Sequence, residues 1–324
     1  MANDRVGPDR VERVAVLGAG TIGASWTALF LARGLAVDVF DVAPAAERHV
    51  RAYVANAWPA LERLGLAAGA DPDRVRFFPD AAGAVADAQF VQENVPERLD
   101  VKHATYRAIE PAMAPGTIVA SSASGLLVQD MQSAFDEPGR FLLAHPFNPP
   151  HLIPLVELLG NDLTDPAALT WAEGFYAWCG KTTIRLRKEV PGHVANRLQA
   201  ALWREAIHLV TEGVASVADV DKAVVHGPGL RWAIMGPHML FNLGSGGSGL
   251  EVFCDRYRDS FHRWWDSLGA PQLGPDVART LAAGVREEEA HRDFAALAAE
   301  RDAKLIAVLR ALADAAAPDT GGTG

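Results

Sequence analysis

The sequence of 324 residues contains only two cysteines, Cys179 and Cys254. Two cysteines cannot form the disulfide framework of a small secreted domain, so we expect a reducing, cytoplasmic location. The ten histidines are scattered, and neither H-E-x-x-H nor C-x-x-C occurs. The ligand spacing that metal sites require is therefore lacking, and we predict no metal cofactor.

The chain also lacks a cluster of basic residues. Lys and Arg total 30 against 40 for Asp and Glu, which makes a formal net charge of -10. This balance opposes binding to nucleic acid or to an anionic membrane surface. A long uncharged run at residues 14–32 contains Gly18, Gly20 and Gly23 and follows a segment of mixed charge. We therefore predict neither a membrane span nor a signal peptide.

The length and the pattern of apolar runs predict two domains. From Arg13 to about Arg187, short apolar runs alternate with helical stretches, which indicates an α/β domain with a Rossmann-type, mostly parallel sheet. Charge followed by Pro and Gly at residues 187–192 suggests a boundary, so we predict the Rossmann-type domain over residues 1–190 and an all-helical C-terminal domain over residues 191–324. The predicted strands are residues 14–17, 36–40, 75–78, 89–92, 117–120, 141–144, 155–158 and 182–186.

Beyond residue 191 the apolar periodicity is helical. Ser216 followed by Asp219 has the form of a capping box, and Gly227 ends that helix. From Leu250 onward apolar residues recur every three or four positions, and a last amphipathic helix begins near Phe294. We interpret the apolar faces of these two helices, called here the apolar stripes, as core or as a subunit interface.

A glycine-rich turn of the form G-x-G-x-x-G follows the first predicted strand and begins a helix. Glycine permits the tight turn, the close approach of backbone to a pyrophosphate, and close packing of helix on strand. Asp41 ends the next strand about twenty residues further on, where a carboxylate accepts hydrogen bonds from the adenosine ribose. Because Asp41 would repel a 2′-phosphate, we predict NAD as the cofactor. The residues predicted to bind it are Gly18, Gly20, Thr21, Ile22, Gly23 and Asp41.

Polar residues follow several other predicted strands. Ser124 follows one strand, His145 follows the next, and Glu157 ends another. Ligands of open parallel sheets bind outside the carboxyl ends of the strands, so these side chains are candidates for a site. A hydride acceptor needs a partner base for the alcohol proton, and histidine titrates near neutrality. We therefore predict His145 as the general base.

Several motifs have the spacing of a known family. They are Ala-Ser-Ser-Ala-Ser124, His145-Pro-Phe-Asn-Pro, Leu-Val-Glu157 and Pro191-Gly-His-Val-Ala-Asn196-Arg-Leu. On these motifs, residues 11–312 resemble the 3-hydroxyacyl-CoA dehydrogenase superfamily. The resemblance implies that Ser124 and Asn196 hydrogen-bond the substrate oxygen, and that Glu157 pairs with the catalytic base His145. It also implies that a segment carrying Glu97 and Lys102 lies on the nicotinamide side.

The helical half differs from the fatty-acyl members of that superfamily. Residues 227–237 read Gly-Pro-Gly-Leu-Arg-Trp-Ala-Ile-Met-Gly-Pro, and residues 253–257 read Phe-Cys-Asp-Arg-Tyr. These features resemble the branch that holds lambda-crystallin/L-gulonate 3-dehydrogenase and carnitine 3-dehydrogenase. The resemblance implies NAD-dependent oxidation of the 3-hydroxyl of a small free acid, L-gulonate-like or carnitine-like.

Arg231 is the candidate for binding the substrate carboxylate, because the planar fork of guanidinium matches that geometry. A structural ion pair is the alternative role for Arg231. The apolar stripes and the resemblance predict a homodimer through the helical half. Two alternative functions stay open: a 3-hydroxyacyl-CoA dehydrogenase, and a non-catalytic NAD-binding structural protein.

Overall fold

The structure is a computed structural model that describes residues 5–316. The described residues fall into two compact units. The first, called here the sheet unit, holds the chain up to Asn196 together with Asp302–Arg310. The second, called the helical unit, holds Arg197–Arg301 and the chain from Ala311.

The sheet unit is built on eight strands. They are β1 (Arg13–Leu17), β2 (Ala36–Phe40), β3 (Val75–Phe77), β4 (Phe90–Glu93), β5 (Ile118–Ser121), β6 (Phe141–Pro146), β7 (Leu155–Leu159) and β8 (Thr182–Arg185). Their order across the sheet is β3-β2-β1-β4-β5-β6-β7-β8. Strands β1 to β6 are parallel, whereas β7 pairs with β6 in antiparallel fashion and β8 runs parallel to β7. The predicted Rossmann-type, mostly parallel sheet is confirmed.

Helices cover both faces of this sheet. They are α1 (Thr21–Ala32), α2 (Ala46–Leu64), α3 (Ala81–Val85), α4 (Leu99–Ile109), α5 (Val128–Gln132) and α6 (Pro166–Trp178), with short 3-10 turns at Pro8–Arg10, Glu110–Ala112 and Pro138–Arg140. Val14 and Val16 of β1 belong to a core cluster with α1, α2 and α6, whereas Ala15 and Leu17 belong to a second cluster with α3, α4 and α5. Successive strand residues point to opposite faces, so both faces of the sheet are buried.

The remaining helices are α7 (Ala195–Thr211), α8 (Val217–His226), α9 (Pro228–Trp232), α10 (Pro237–Leu243), α11 (Leu250–Ser267), α12 (Pro275–Glu289) and α13 (Phe294–Ala316). The predicted N-cap of α8 is confirmed, because the hydroxyl of Ser216 accepts a hydrogen bond from the amide of Asp219 and the helix ends before Gly227. Across residues 5–316, every helix is too short or too polar to cross a bilayer.

Candidate active site

The glycine-rich turn between β1 and α1 has the backbone geometry that its sequence predicts. Gly18 has a φ of 84°, and a Cβ atom there would come within 2.5 Å of the carbonyl oxygen of Asn94. A Cβ at Gly23 would overlap the carbonyl oxygen of Gly18, whereas one at Gly20 would meet nothing within 4 Å. Gly20 is the N-cap of α1 and supplies no side chain to cap the first-turn amides. Those amides form an anion site of the kind that binds a pyrophosphate.

Asp41 directly follows β2 and holds the same turn in place. Its Oδ2 accepts a hydrogen bond of 2.6 Å from the amide of Ala19, and its Oδ1 accepts one of 2.7 Å from the amide of Ala43. A carboxylate has about four lone-pair positions, so acceptor capacity remains for ribose hydroxyls. The turn and Asp41 together fit the adenosine and pyrophosphate parts of NAD.

His145 and Glu157 form a buried pair. They face each other in the register of β6 and β7, and His145 Nδ1 lies 2.9 Å from Glu157 Oε2. The sequence predicts that Glu157 ends a strand at the same edge as His145. That placement is wrong, because β7 runs antiparallel to β6 and Glu157 lies in the middle of β7. Antiparallel pairing is what brings the carboxylate directly opposite the imidazole.

The second oxygen of Glu157 holds the start of α7. Glu157 Oε1 accepts hydrogen bonds of 2.8 Å from the amide of Val194 and 3.0 Å from that of Ala195. Burial raises the pKa of Glu157, but the hydrogen bonds from His145, Ala195 and Val194 outweigh it, so the pKa lies below its ordinary value. Asn196 directly follows Ala195. A single ionised carboxylate therefore orients His145 and positions the segment that carries Asn196.

Ser124 lies in the loop after β5 and is bound by Glu97. Its hydroxyl donates a hydrogen bond of 2.8 Å to Glu97 Oε2, while Glu97 Oε1 accepts from the amides of Ser124 and Gly125. Burial raises the pKa of Glu97, but these bonds and the amide of Leu126 outweigh it, and the pKa is lowered. The structure thus brings two of the predicted residues, Ser124 and Glu97, into direct contact.

Lys102 is buried beneath the strand ends in a separate cluster. Its amine lies 2.7 Å from Glu93 Oε1, and only 1% of its surface is exposed. The other oxygen of Glu93 accepts from Tyr106 at 2.5 Å and from Ser121 at 2.7 Å. Burial raises the pKa of Tyr106 well above its ordinary value, and the neighbouring Glu93 carboxylate raises it further. Lys102 therefore ties α4 to the ends of β4 and β5, and the structure does not bring it to the surface of the site.

Arg231, the predicted carboxylate-binding residue, lies in α9 of the helical unit, whereas the predicted catalytic residues lie in the sheet unit. Within residues 5–316 its guanidinium takes part in no ion pair or hydrogen bond. The alternative role of Arg231 as a structural ion pair thus has no partner in the described part of the chain. The same residues contain no group of three or more His, Cys, Asp or Glu side chains that could hold a metal ion.

Sequence reasoning missed His193, which lies between Gly192 and the amides that bind Glu157. Its ring centroid is 5.0 Å from that of His145, and the residue is 3% exposed. The available signal was a histidine inside the Pro-Gly-His segment, three residues before Asn196. This position lies outside the apolar periods and the strand ends, so the sequence alone does not single it out.

Comparison with known proteins places this site in a family. Residues 13–190 match the model of the 3-hydroxyacyl-CoA dehydrogenase NAD binding domain, and residues 192–293 match that of the 3-hydroxyacyl-CoA dehydrogenase C-terminal domain. The chain belongs to the 3-hydroxyacyl-CoA dehydrogenase family. Membership in this family, predicted from the motifs, is confirmed, and so is NAD as the cofactor.

Within the 3-hydroxyacyl-CoA dehydrogenase family, similar proteins include L-carnitine dehydrogenases. The chain is 49% identical to that of Streptomyces griseus over 304 residues, which cover 94% of this chain and 91% of the relative. It is 42% identical to that of Pseudomonas putida over 302 residues, covering 93% and 94% of the two chains. These relatives place the chain in the carnitine dehydrogenase branch of the family.

A solved structure of 5-formyl-3-hydroxy-2-methylpyridine 4-carboxylic acid 5-dehydrogenase, an NAD+-dependent dismutase, is also similar. It has a TM-score of 0.78 and 32% identity, and the match covers 94% of this chain and 99% of that one. Together these findings show that this member of the family is an NAD-dependent 3-hydroxy acid dehydrogenase that acts on a small molecule.

Proposed function

We propose that this dehydrogenase oxidises the C3 hydroxyl of L-carnitine to the ketone. The observation that carries the proposal is the buried His145–Glu157 pair, in which a carboxylate oxygen lies 2.9 Å from the imidazole. Such a pair is the arrangement that general-base removal of an alcohol proton requires. The choice of L-carnitine, a free 3-hydroxy acid with a quaternary ammonium group, is supported by relatives that are 42–49% identical over more than nine-tenths of the chain.

NAD, when bound, supplies the hydride acceptor. Glu157 accepts a hydrogen bond from the Nδ1–H of His145, which keeps this proton on Nδ1 and leaves Nε2 free to take the hydroxyl proton of the substrate. The imidazolium that forms then lies beside an ionised carboxylate, which stabilises the new positive charge. Glu157 thus has two tasks: it selects the tautomer of His145 and compensates its charge after proton transfer.

We assign Ser124 and Asn196 to hydrogen-bond the reacting oxygen. Asn196 follows Ala195, whose amide is bound to Glu157, so the position of the Asn196 amide depends on the same carboxylate as the base. The hydroxyl of Ser124 donates to Glu97 and must exchange that acceptor for the substrate oxygen. Hydrogen-bond donors aimed at this oxygen stabilise the charge that develops on it as the proton leaves.

We further assign the turn residues Gly18, Gly20, Thr21, Ile22 and Gly23 to the pyrophosphate of NAD, and Asp41 to its adenosine ribose. The amide of Gly18 already donates to the carbonyl of Phe40, so Gly18 contributes by letting the turn approach the phosphates closely. The free amides of α1 carry the positive end of the helix dipole, which favours an anion there. On the nicotinamide side we keep Glu97, which organises the Ser124 loop, and Lys102, which acts through its buried bond to Glu93.

Replacing Asp41 by Ala should weaken NAD binding by about 10- to 100-fold, because hydrogen bonds to a charged group contribute about 1.5–3 kcal/mol. The preference for NAD over NADP should fall, since the carboxylate that repels a 2′-phosphate is gone. Titration of tryptophan fluorescence with each cofactor measures both effects. Glu47→Ala removes an exposed carboxylate of α2 and serves as the control. An unchanged ratio of the two affinities would show that Asp41 does not select the cofactor.

We assign the helical domain, residues 191–324, to substrate binding and to dimerisation. Its candidate for the substrate carboxylate is Arg231, whose guanidinium has no intramolecular partner within the described residues.

The proposal also keeps the cytoplasmic location predicted from the cysteine content, with Cys179 and Cys254 both present as free thiols.

A homodimer is proposed because the helical unit leaves large apolar side chains exposed. Phe253 and Phe261 of α11 pack against Phe241, but Trp264 and Trp265 remain 57% and 60% exposed. Large exposed apolar patches on a folded unit mark interaction sites. Light scattering should give about twice the chain mass of 34.6 kDa. A mass of one chain at micromolar concentration would contradict the dimer. A dimer that persists after both tryptophans are changed to Glu would show that the interface lies elsewhere.

The substrate is tested by measuring NAD reduction with L-carnitine, L-gulonate, 3-hydroxybutyrate and 3-hydroxybutyryl-CoA. We expect the highest kcat/KM with L-carnitine. Preferred oxidation of the CoA thioester would favour the acyl-CoA dehydrogenase alternative instead. Tight NAD binding without turnover of any of the four compounds would favour a non-catalytic NAD-binding protein.

A further inference from the structure

His193 is held beside the catalytic base by an unusual backbone conformation. It follows Pro191 and Gly192, has a φ of 50°, and its amide donates a hydrogen bond of 3.0 Å to the carbonyl of Val190. Few residues other than glycine adopt the left-handed region, and such strain is often found at functional sites. The rings of His193 and His145 lie with centroids 5.0 Å apart and planes inclined by 51°.

Both ring nitrogens of His193 are buried and lack a hydrogen-bond partner among the described residues. A neutral imidazole carries one N–H donor and one acceptor, and burying them unpaired is unfavourable. The backbone of Ala123 favours the protonated ring but does not reach hydrogen-bond geometry with either nitrogen. The ring is thus a buried polar group, next to the reacting centre, whose hydrogen-bonding capacity is unused.

The charges around His193 leave it neutral and ready to donate one N–H. Burial lowers its pKa most, and the neighbouring His145 lowers it further, while Glu157 and Glu189 act in the opposite direction without reversing the shift. Both carboxylates are already occupied. Glu157 is bound to His145 and to two amides, and Glu189 accepts a hydrogen bond of 2.8 Å from the amide of Val128. Neither carboxylate accepts a hydrogen bond from the ring of His193.

We propose that His193 binds the carboxylate of the 3-hydroxy acid while His145 takes the proton from its hydroxyl. The proposal rests on the proposed function, because it requires a substrate with a free carboxylate. In a 3-hydroxy acid, C1 and C3 lie about 2.5 Å apart, since two bonds of about 1.5 Å join them. Two imidazoles with centroids 5.0 Å apart can therefore each reach a different oxygen of one such molecule.

The chemistry of the substrate selects the carboxylate as the partner of His193. A quaternary ammonium group has neither a donor nor an acceptor, and the hydroxyl is already assigned to His145, Ser124 and Asn196. The carboxylate is the remaining polar group, and it accepts a hydrogen bond from an imidazole N–H. His193 would thereby make the sheet unit itself selective for free acids, independently of Arg231 in the helical unit.

The test compares an acid with its amide in wild type and in His193→Phe, which keeps a ring of similar size but has no nitrogen. With L-carnitine, kcat/KM should fall roughly 10- to 100-fold, mainly through KM, as expected when a hydrogen bond to a charged group is lost. With the carboxamide of carnitine, which carries no charge at that position, the loss should be several times smaller. Calorimetry should show the same weakening in the Kd of L-carnitine for the enzyme.

Two further variants separate binding from folding. His193→Asn keeps an N–H donor and tolerates a positive φ, so its KM for L-carnitine should lie between those of wild type and His193→Phe. His103→Phe makes the same chemical change on α4, where the ring contacts the backbone carbonyl of Asp130. It should leave kcat/KM unchanged for both the acid and the amide.

If kcat/KM of His193→Phe falls by the same factor for the acid and for the amide, the proposal is overturned, because His193 would then only support the loop. An unchanged Kd for the acid would overturn it as well. If wild type oxidises another 3-hydroxy acid instead of L-carnitine, the proposed substrate fails, and the comparison is made with that acid and its amide. If no acid is oxidised, calorimetry with 3-hydroxybutyrate on wild type and His193→Phe still decides whether His193 binds a carboxylate.

Discussion

Replacing His145 by Gln should lower kcat by roughly 10²–10⁴-fold, the usual contribution of general acid–base catalysis. Gln fills a similar volume and offers an amide, but it cannot take a proton at neutral pH. The affinity for NADH should stay near the wild-type value, because the glycine-rich turn and Asp41 are untouched. Steady-state turnover with L-carnitine and fluorescence titration with NADH measure the two quantities separately.

The matched control is His103→Gln, the same substitution at a histidine of α4 whose ring contacts the backbone carbonyl of Asp130. It should behave like wild type in both assays. Wild-type turnover in His145→Gln would remove His145 from the mechanism.

Replacing Glu157 by Gln should reduce kcat by up to roughly 10⁴-fold, the effect seen when an amide replaces the carboxylate behind a catalytic histidine. One amide oxygen cannot accept from the Nδ1–H of His145 and also from the amides of Val194 and Ala195. The imidazole would lose the acceptor that sets its tautomer, or the start of α7 would lose its anchor.

Loss of the carboxylate should also lower the stability of the fold. The free energy of unfolding of Glu157→Gln should fall by about 1–3 kcal/mol, because a buried amide is left without its charged acceptor. Folding lowers the pKa of Glu157, so its ionised form stabilises wild type above the ordinary carboxyl pKa, and this stabilisation is lost as pH falls through the folded value. The stability difference between wild type and variant should therefore shrink in acid.

A double variant tests whether the two residues act as one unit. If Glu157 works through His145, adding Glu157→Gln to His145→Gln should change kcat little beyond the loss in His145→Gln alone. If the loss of kcat in the double variant equals the product of the two single losses, Glu157 contributes to catalysis independently of His145.

The sheet could be predicted because its strands are buried on both faces. Continuous apolar runs such as Val14–Leu17 and Phe141–Ala144 lie where β1 and β6 are found, and each of the eight predicted strands agrees with the structure to within two residues at either end. The glycine-rich turn could also be predicted, because Gly18 and Gly23 occupy positions where a Cβ atom would collide with backbone, so only glycine fits there.

The pairing of His145 with Glu157 could not be predicted from periodicity. An apolar run does not reveal the direction of its strand, and only the reversal of β7 puts Glu157 opposite His145. The burial of Lys102 could not be predicted either, since a lysine is expected at the surface unless a buried partner such as Glu93 is known. In both cases the decisive contact joins residues from different elements.

If this dehydrogenase removes the hydrogen at C3 of a free 3-hydroxy acid, deuterium placed at that carbon must appear in the NADH. The enzyme is incubated with NAD and L-carnitine deuterated at C3, and both products are analysed by mass spectrometry. We expect NADH that carries the deuterium, together with the unlabelled 3-keto acid, and roughly 10²–10⁴-fold slower formation of both products by His145→Gln. NADH without deuterium, or no NADH from wild type, would contradict it.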